Sequence, residues 1–144
     1  MAEEYKKLFD LSLVTPEGPA FEGEVEMLIV PGAAGEIGVL ARHAPLIATL
    51  KAGSTRVYLD RGSENVKEYA TGPGFFKVET DRAIALVDDA VLADEIDEQR
   101  AREQLEAAQR ELEKVERGES TADRWQLEQR IKHAENQLAV VGRN

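Results

Sequence analysis

The chain has 144 residues and a mass of 15.9 kDa, room for one ordinary domain or for a compact domain with an appendage. With 28 Asp and Glu against 18 Lys and Arg, its formal net charge is −10, a balance that repels a nucleic-acid polyanion. The sequence has no cysteine, which excludes disulfides, thiolate metal sites and cysteine nucleophiles, and its two histidines, His43 and His133, are too few and too distant for a multi-histidine metal site.

Residues 1–7 put two acids ahead of two lysines with no apolar core behind them, unlike a signal peptide. The longest apolar runs, such as 27–30 and 83–87, fall far below the ~18 residues of a membrane span. The expectation is a soluble, intracellular protein. Phe9, Leu11 and Leu13 alternate with Asp10 and Ser12 before a turn at 16–19. Val25, Met27 and Ile29 then alternate with Glu24, Glu26 and Leu28. Further short runs cover 56–60, 66–70, 75–79 and 83–87, with turns at 60–63, 71–74 and 80–82. Period-2 runs broken by turns every 8–12 residues predict a β-sandwich or barrel.

The composition changes near residue 90. Residues 1–89 hold all five prolines and nine of the eleven glycines, while residues 90–144 have no proline and, of the glycines, only Gly118 and Gly142. Dense mixed charge without such punctuation suits solvated helix. The boundary is expected within 88–95, giving a strand domain 1–89 and a helical domain 90–144. Ala101, Leu105, Ala108, Leu112 and Val115 are spaced 4, 3, 4, 3, and Leu127, Ile131, Ala134, Leu138 and Val141 repeat that spacing. Each set is a narrow helical seam. Asp94 or Glu95 is placed to cap the first helix, Gly118 to end it, and Ser120 or Thr121 to start the second. So short a connection predicts an antiparallel hairpin. Glu98/Arg102, Glu106/Arg110, Glu113/Arg117 and Glu128/Lys132 support helix at i, i+4. The fold class is therefore β plus α: an N-terminal β-sandwich followed by a C-terminal antiparallel two-helix hairpin. Alanines in both seams bury little area, so the hairpin is expected to be marginally held.

Candidate chemistry is sparse. Gly32, Gly35 and Gly38 fit neither dinucleotide nor P-loop spacing and read as a structural turn, as does 72–74. His43, before Ala44-Pro45, has no acid–serine arrangement around it and reads as a hydrogen-bonding or interface group. The acids Asp88, Asp89, Asp94, Glu95, Asp97 and Glu98 lack calcium-loop spacing and read as linker and helix-start charges. Trp125 lies off the seam, where it is either exposed or a contact with another surface. No catalytic constellation and no metal site are expected.

Residues 35–46, Gly-Glu-Ile-Gly-Val-Leu-Ala-Arg-His-Ala-Pro-Leu, resemble the most characteristic segment of the epsilon-subunit family of bacterial F-type ATP synthases. The usual family form is close to GE(L/F/I)G(V/I)LPGHAPL, so Ala41 and Arg42 stand where Pro-Gly is usual. Val14-Thr15-Pro16-Glu17-Gly18, Val25-Glu26-Met27, the 72–74 turn and Ile96-Asp97-Glu98-Gln99-Arg100-Ala101 also fit, in order, over almost the whole chain. The resemblance implies a non-catalytic rotor subunit that couples proton flow to ATP synthesis. Its sandwich would bind the gamma subunit and the polar c-ring loops, with Glu36 and His43 in the segment that meets them. Its hairpin would fold down, or extend into the head of alpha and beta subunits and inhibit ATP hydrolysis, with Arg124, Arg130, Lys132 and Arg143 facing acidic surface there. Such a subunit sits peripherally on the cytoplasmic side of the bacterial plasma membrane. Some family members bind ATP. Ile96, Asp97, Arg100 and Ala101 match that pattern, but Val91, Ala107, His133 and Gln137 replace an acid and three arginines, and a weak or absent nucleotide site is expected. The alternative is a β-sandwich adaptor or scaffold with a coiled-coil hairpin, unrelated to the synthase.

Overall fold

A computed structural model describes residues 8–60 and 65–142; the readings for residues 1–7, for 61–63 of one turn and for Arg143 fall outside them. The chain divides between Leu92 and Ala93 into a unit of strands and a unit of helices. The strands are β1 (Phe9–Thr15), β2 (Gly18–Val25), β3 (Met27–Gly32), β4 (Gly35–Leu40), β5 (Leu46–Leu50), β6 (Gly53–Tyr58), β7 (Val66–Thr71), β8 (Gly74–Glu79), β9 (Arg82–Val87) and β10 (Ala90–Leu92). Because β10 pairs antiparallel with β7, residues 90–92 extend the strand unit.

One ladder runs β10-β7-β6-β3-β5-β8-β9-β1-β2, with β4 added to β3. It folds over at a corner where β3 meets β5 only at Gly32 and Leu50, fastened by Ala33 N–H to Thr49 O and Lys51 N–H to Pro31 O, both 2.9 Å. All pairings are antiparallel except β1 with β9, which is parallel. Leu28 lies opposite Val39 and Val57, all with no exposed surface. In the other half Phe76 pairs with Ala48 and Ala85, and Leu13 also pairs with Ala85, so large side chains meet small ones across the ladder. The buried Thr55 and Thr71 hydroxyls satisfy each other at 2.9 Å.

The alternation expected through Val25, Met27 and Ile29 changes phase. Val25 is buried, but beyond it Leu28 and Val30 point inward while Met27 and Ile29 are half-buried. Glu26 stands between β2 and β3, its N–H bonded to Tyr58 O, and one residue outside the ladder shifts the parity of every residue after it in β3. The turn at 32–35 is a tight β3–β4 hairpin in which Gly32 pairs with Gly35. Gly74 is required by close approach: a Cβ there would lie 1.8 Å from the backbone oxygen of Leu86. Gly74→Ala is expected to lower unfolding free energy by about 2 kcal/mol in chemical denaturation, because backbone rather than a side-chain tip must move.

In the helical unit a 3-10 turn, Ala93–Glu95, precedes α1 (Glu98–Glu116), and α2 (Arg124–Val141) follows. Asp94 and Glu95 fall inside that turn, so neither caps α1. Asp97 does, accepting from Arg100 N–H at 3.0 Å. Gly118, at φ 74°, ends α1 as anticipated, with Gly118 N–H to Val115 O and Glu119 N–H to Lys114 O, the paired bonds of a Schellman ending. The second helix starts later than Ser120 or Thr121. Ser120 donates to Glu111 and accepts from Ala122 N–H, which holds it in the connection, and Asp123 caps α2 by accepting from Trp125 and Gln126 N–H. Ala101, Ala108, Leu127 and Ala134 are buried, and Leu105, Leu112, Val115, Ile131, Leu138 and Val141 are half-buried, so both seams form. Val140, off the stripe, is also buried at 1% exposure. The run Ala139-Val140-Val141 is apolar on every side, and periodicity alone cannot choose its inner face.

Candidate partner interface

Glu36 projects from the start of β4, 58% exposed, and Arg56 of β6 reaches it across β3 with an N–H···O bond of 2.9 Å. The residues between are Ile29, opposite both Arg56 and Gly38, and Gly38 itself, whose missing side chain leaves open space. The Arg56 Nε is buried and finds no acceptor among the described residues. His43 lies past the other end of β4, half-buried, with ring Nδ1 2.6 Å from Ala44 O. The two are therefore not brought together: at ~3.3 Å per residue, β4 alone puts about 13 Å between Glu36 and Leu40.

An apolar surface that the periodicity of the sequence does not reveal lies on the outer face of β5, β8 and β9. Ile47 is 74% exposed, Phe75 63% and Leu86 51%. The register aligns Thr49, Phe75, Leu86 and Val14 in a row across four strands, with Ile47 on the diagonal from Phe75. A shallow groove lined by Pro45, Ile47, Lys77 and Glu79 continues from it toward the 41–45 loop. One signal was legible: Phe75 and Phe76 are adjacent in a strand, so they face opposite sides, and only one can enter the core. Grouped exposed apolar side chains make this face a candidate contact surface.

The hairpin cations do not form one patch. Arg124 bridges the two helices, donating to Glu116 and to Glu128 at 3.2 Å each. Arg130 and Lys132 are exposed, but at about 100° per residue they lie some 160° apart around α2. Trp125, 66% exposed, shares the outer side with Lys132. Ile96, Asp97, Arg100 and Ala101 sit together at the start of α1, but the Asp97 carboxylate is committed to the cap, Ala101 is buried at 0% exposure, and Ile96 is half-buried. Arg100 alone of the four presents an exposed cation. Among the described residues no group of three or more His, Asp or Glu side chains could hold a metal ion, and no helix is long and apolar enough to cross a membrane.

These features define a two-domain protein, a sandwich with an uncovered apolar face joined to a helical hairpin. The beta-sandwich domain of the ATP synthase delta/epsilon chain matches residues 8–93, and that family's long alpha-helix domain matches residues 94–142. The ATP synthase epsilon chain of Rubrobacter xylanophilus is 37% identical over 146 residues, covering 99% of this chain and 97% of its own. That of Halalkalibacterium halodurans is 37% identical over 133 residues, covering 92% and 96%. A chain in the cryo-EM structure of the Euglena gracilis mitochondrial ATP synthase shares the fold, with a TM-score of 0.74 at 24% identity over 94% of this chain and 82% of that one. The chain belongs to the ATP synthase delta/epsilon family, and as an epsilon subunit it is part of a membrane-bound complex for ATP synthesis and the proton transport coupled to it.

Proposed function

We propose that the chain is a non-catalytic rotor subunit of the central stalk, held peripherally at the cytoplasmic side of a bacterial plasma membrane through its partners. The strand unit docks on the gamma subunit and on the polar loops of the c ring, with Glu36 and His43 toward those partners. The helical unit is a mobile regulatory element that restrains ATP hydrolysis by meeting the alpha and beta subunits of the head through Arg124, Arg130 and Lys132. The observation that carries the docking role is the uncovered row of Ile47, Phe75 and Leu86 on a regular, well-paired sheet. Nucleotide binding is weak or absent in this proposal, because Val91, Ala107, His133 and Gln137 stand where the family's ATP-binding pattern has an acid and three arginines.

The double variant Ile47→Asp/Phe75→Asp tests it. Both side chains are largely exposed, so the variant keeps the wild-type circular dichroism and unfolding midpoint. Burying two such residues contributes about 3 kcal/mol or more, so the variant is expected to bind gamma at least about a hundredfold more weakly. A folded double variant that co-purifies with gamma as the wild type does would remove this face from the interface.

A further inference from the structure

Arg42 is, among the described residues, the one non-glycine residue with positive φ, at 63°. In this left-handed region a Cβ crowds the backbone, and glycine alone adopts it freely. Glycine is also the residue usual at this position in the family form given above. The conformation is imposed from outside: Arg42 N–H donates to Thr80 O at 2.7 Å, fastening the loop to the β8–β9 turn, and Pro45 restricts the residue before it to non-helical backbone. The side chain does nothing within the molecule to offset the strain. It is exposed, and its guanidinium has no ion pair or hydrogen bond with any described residue.

The setting of this arginine is distinctive. Of the cations in residues 37–59, Lys51 follows the far end of β5 and Arg56 is paired with Glu36 at the far end of β4, so Arg42 is the one Lys or Arg of the 41–45 loop. The loop lies next to the groove of Pro45, Ile47, Lys77 and Glu79 at one end of the exposed apolar row. We propose that Arg42 is the ion-pairing residue of this docking surface, its planar guanidinium taking a carboxylate on a partner subunit's loop as the strand unit seats. This rests on the reading of the strand unit as a docking unit. The same end of the sandwich carries Asp10, Glu24, Glu79 and Asp81, as the pairings of Asp10 with Glu24 and Arg82, and of Glu79 with Arg82, require. Those acids repel an extended anionic surface such as a membrane, and a single carboxylate is held there only through direct, bidentate contact with the Arg42 guanidinium.

The strain makes stability and binding move in opposite directions, which no merely structural role does. Arg42→Gly is expected to raise the melting temperature of the isolated chain by about 4 °C. In ATP synthase depleted of this subunit and reconstituted with the full chain, the same variant is expected to bind about tenfold more weakly, the loss of one charge-assisted pair. Arg42→Glu is expected to bind more weakly still, and both deficits shrink with added salt. An Arg42→Gly chain that binds as tightly as wild type overturns the proposal, as does one that binds weakly because it has lost stability. Binding of the wild-type chain to vesicles containing phosphatidylglycerol, abolished in Arg42→Gly, also overturns it by assigning the arginine to lipid. Failure of the wild-type chain itself to bind the depleted complex would instead remove the docking reading beneath it.

Discussion

A chain cut after Leu92 is expected to unfold in one cooperative transition with a β-type circular dichroism spectrum. The core cluster of Phe9, Leu11, Leu13, Val25, Leu28, Val30, Val39, Leu50, Val57, Tyr69, Phe76, Val78, Ala83, Ala85 and Val87 lies entirely within the strand unit. Its polar backbone is paired in one continuous ladder closed at the Gly32–Leu50 corner. A 92-residue domain of this kind has a stability of about 5–10 kcal/mol. A cut after Asp89 removes β10 and bares the β7 edge, so its midpoint falls while the transition stays cooperative. Urea denaturation followed by circular dichroism separates the two fragments. A 1–92 fragment without a cooperative transition would mean that the helices complete the fold of the strands.

The division into strands and helices was legible because the two halves of the sequence obey different periods, and the seam at Ala101 to Val115 follows from spacing alone. The inward phase of β3 was not legible, because a single residue outside the ladder, Glu26, resets the alternation and its hydrogen bond to Tyr58 joins residues far apart in sequence. The caps moved for a related reason. Ser120, a good cap by type, was spent on Glu111 of the preceding helix, and Asp123 took the role. The candidate site was legible as a segment and not as a surface. Residues 35–46 marked the region, but β4 carries Glu36 and His43 to opposite ends. The adjacent Phe75 and Phe76 signal one outward aromatic, but the exposed row of Ile47, Phe75 and Leu86 is assembled only by strand pairing. Arg42 was visible as a departure from the family form, and only the backbone geometry shows that the departure is strained.

Removal of residues 119–144 is expected to raise ATP hydrolysis by the head complex about tenfold while leaving assembly through the strand unit intact. The seams place small alanines at Ala101, Ala108 and Ala134, and the proposed regulatory role requires a second arrangement of the helices within a few kcal/mol of this one. A difference of about 1.4 kcal/mol toward the restraining arrangement already gives a factor of ten. The cations contribute unequally. Arg124 is bound to Glu116 and Glu128 within the hairpin and must leave both to meet the head, whereas Arg130 and Lys132 are exposed. Reversal of Arg130 and Lys132 is therefore expected to release more inhibition than reversal of Arg124. Because the two point to different sides of α2, each single reversal should give part of the effect, and all of it should weaken with salt. Hydrolysis rates of wild-type, truncated and reversed complexes at low and high ionic strength measure this directly. A truncated complex that assembles fully and hydrolyses ATP at the wild-type rate at both ionic strengths would take the restraint away from α2 and leave the helices a packing role in the stalk.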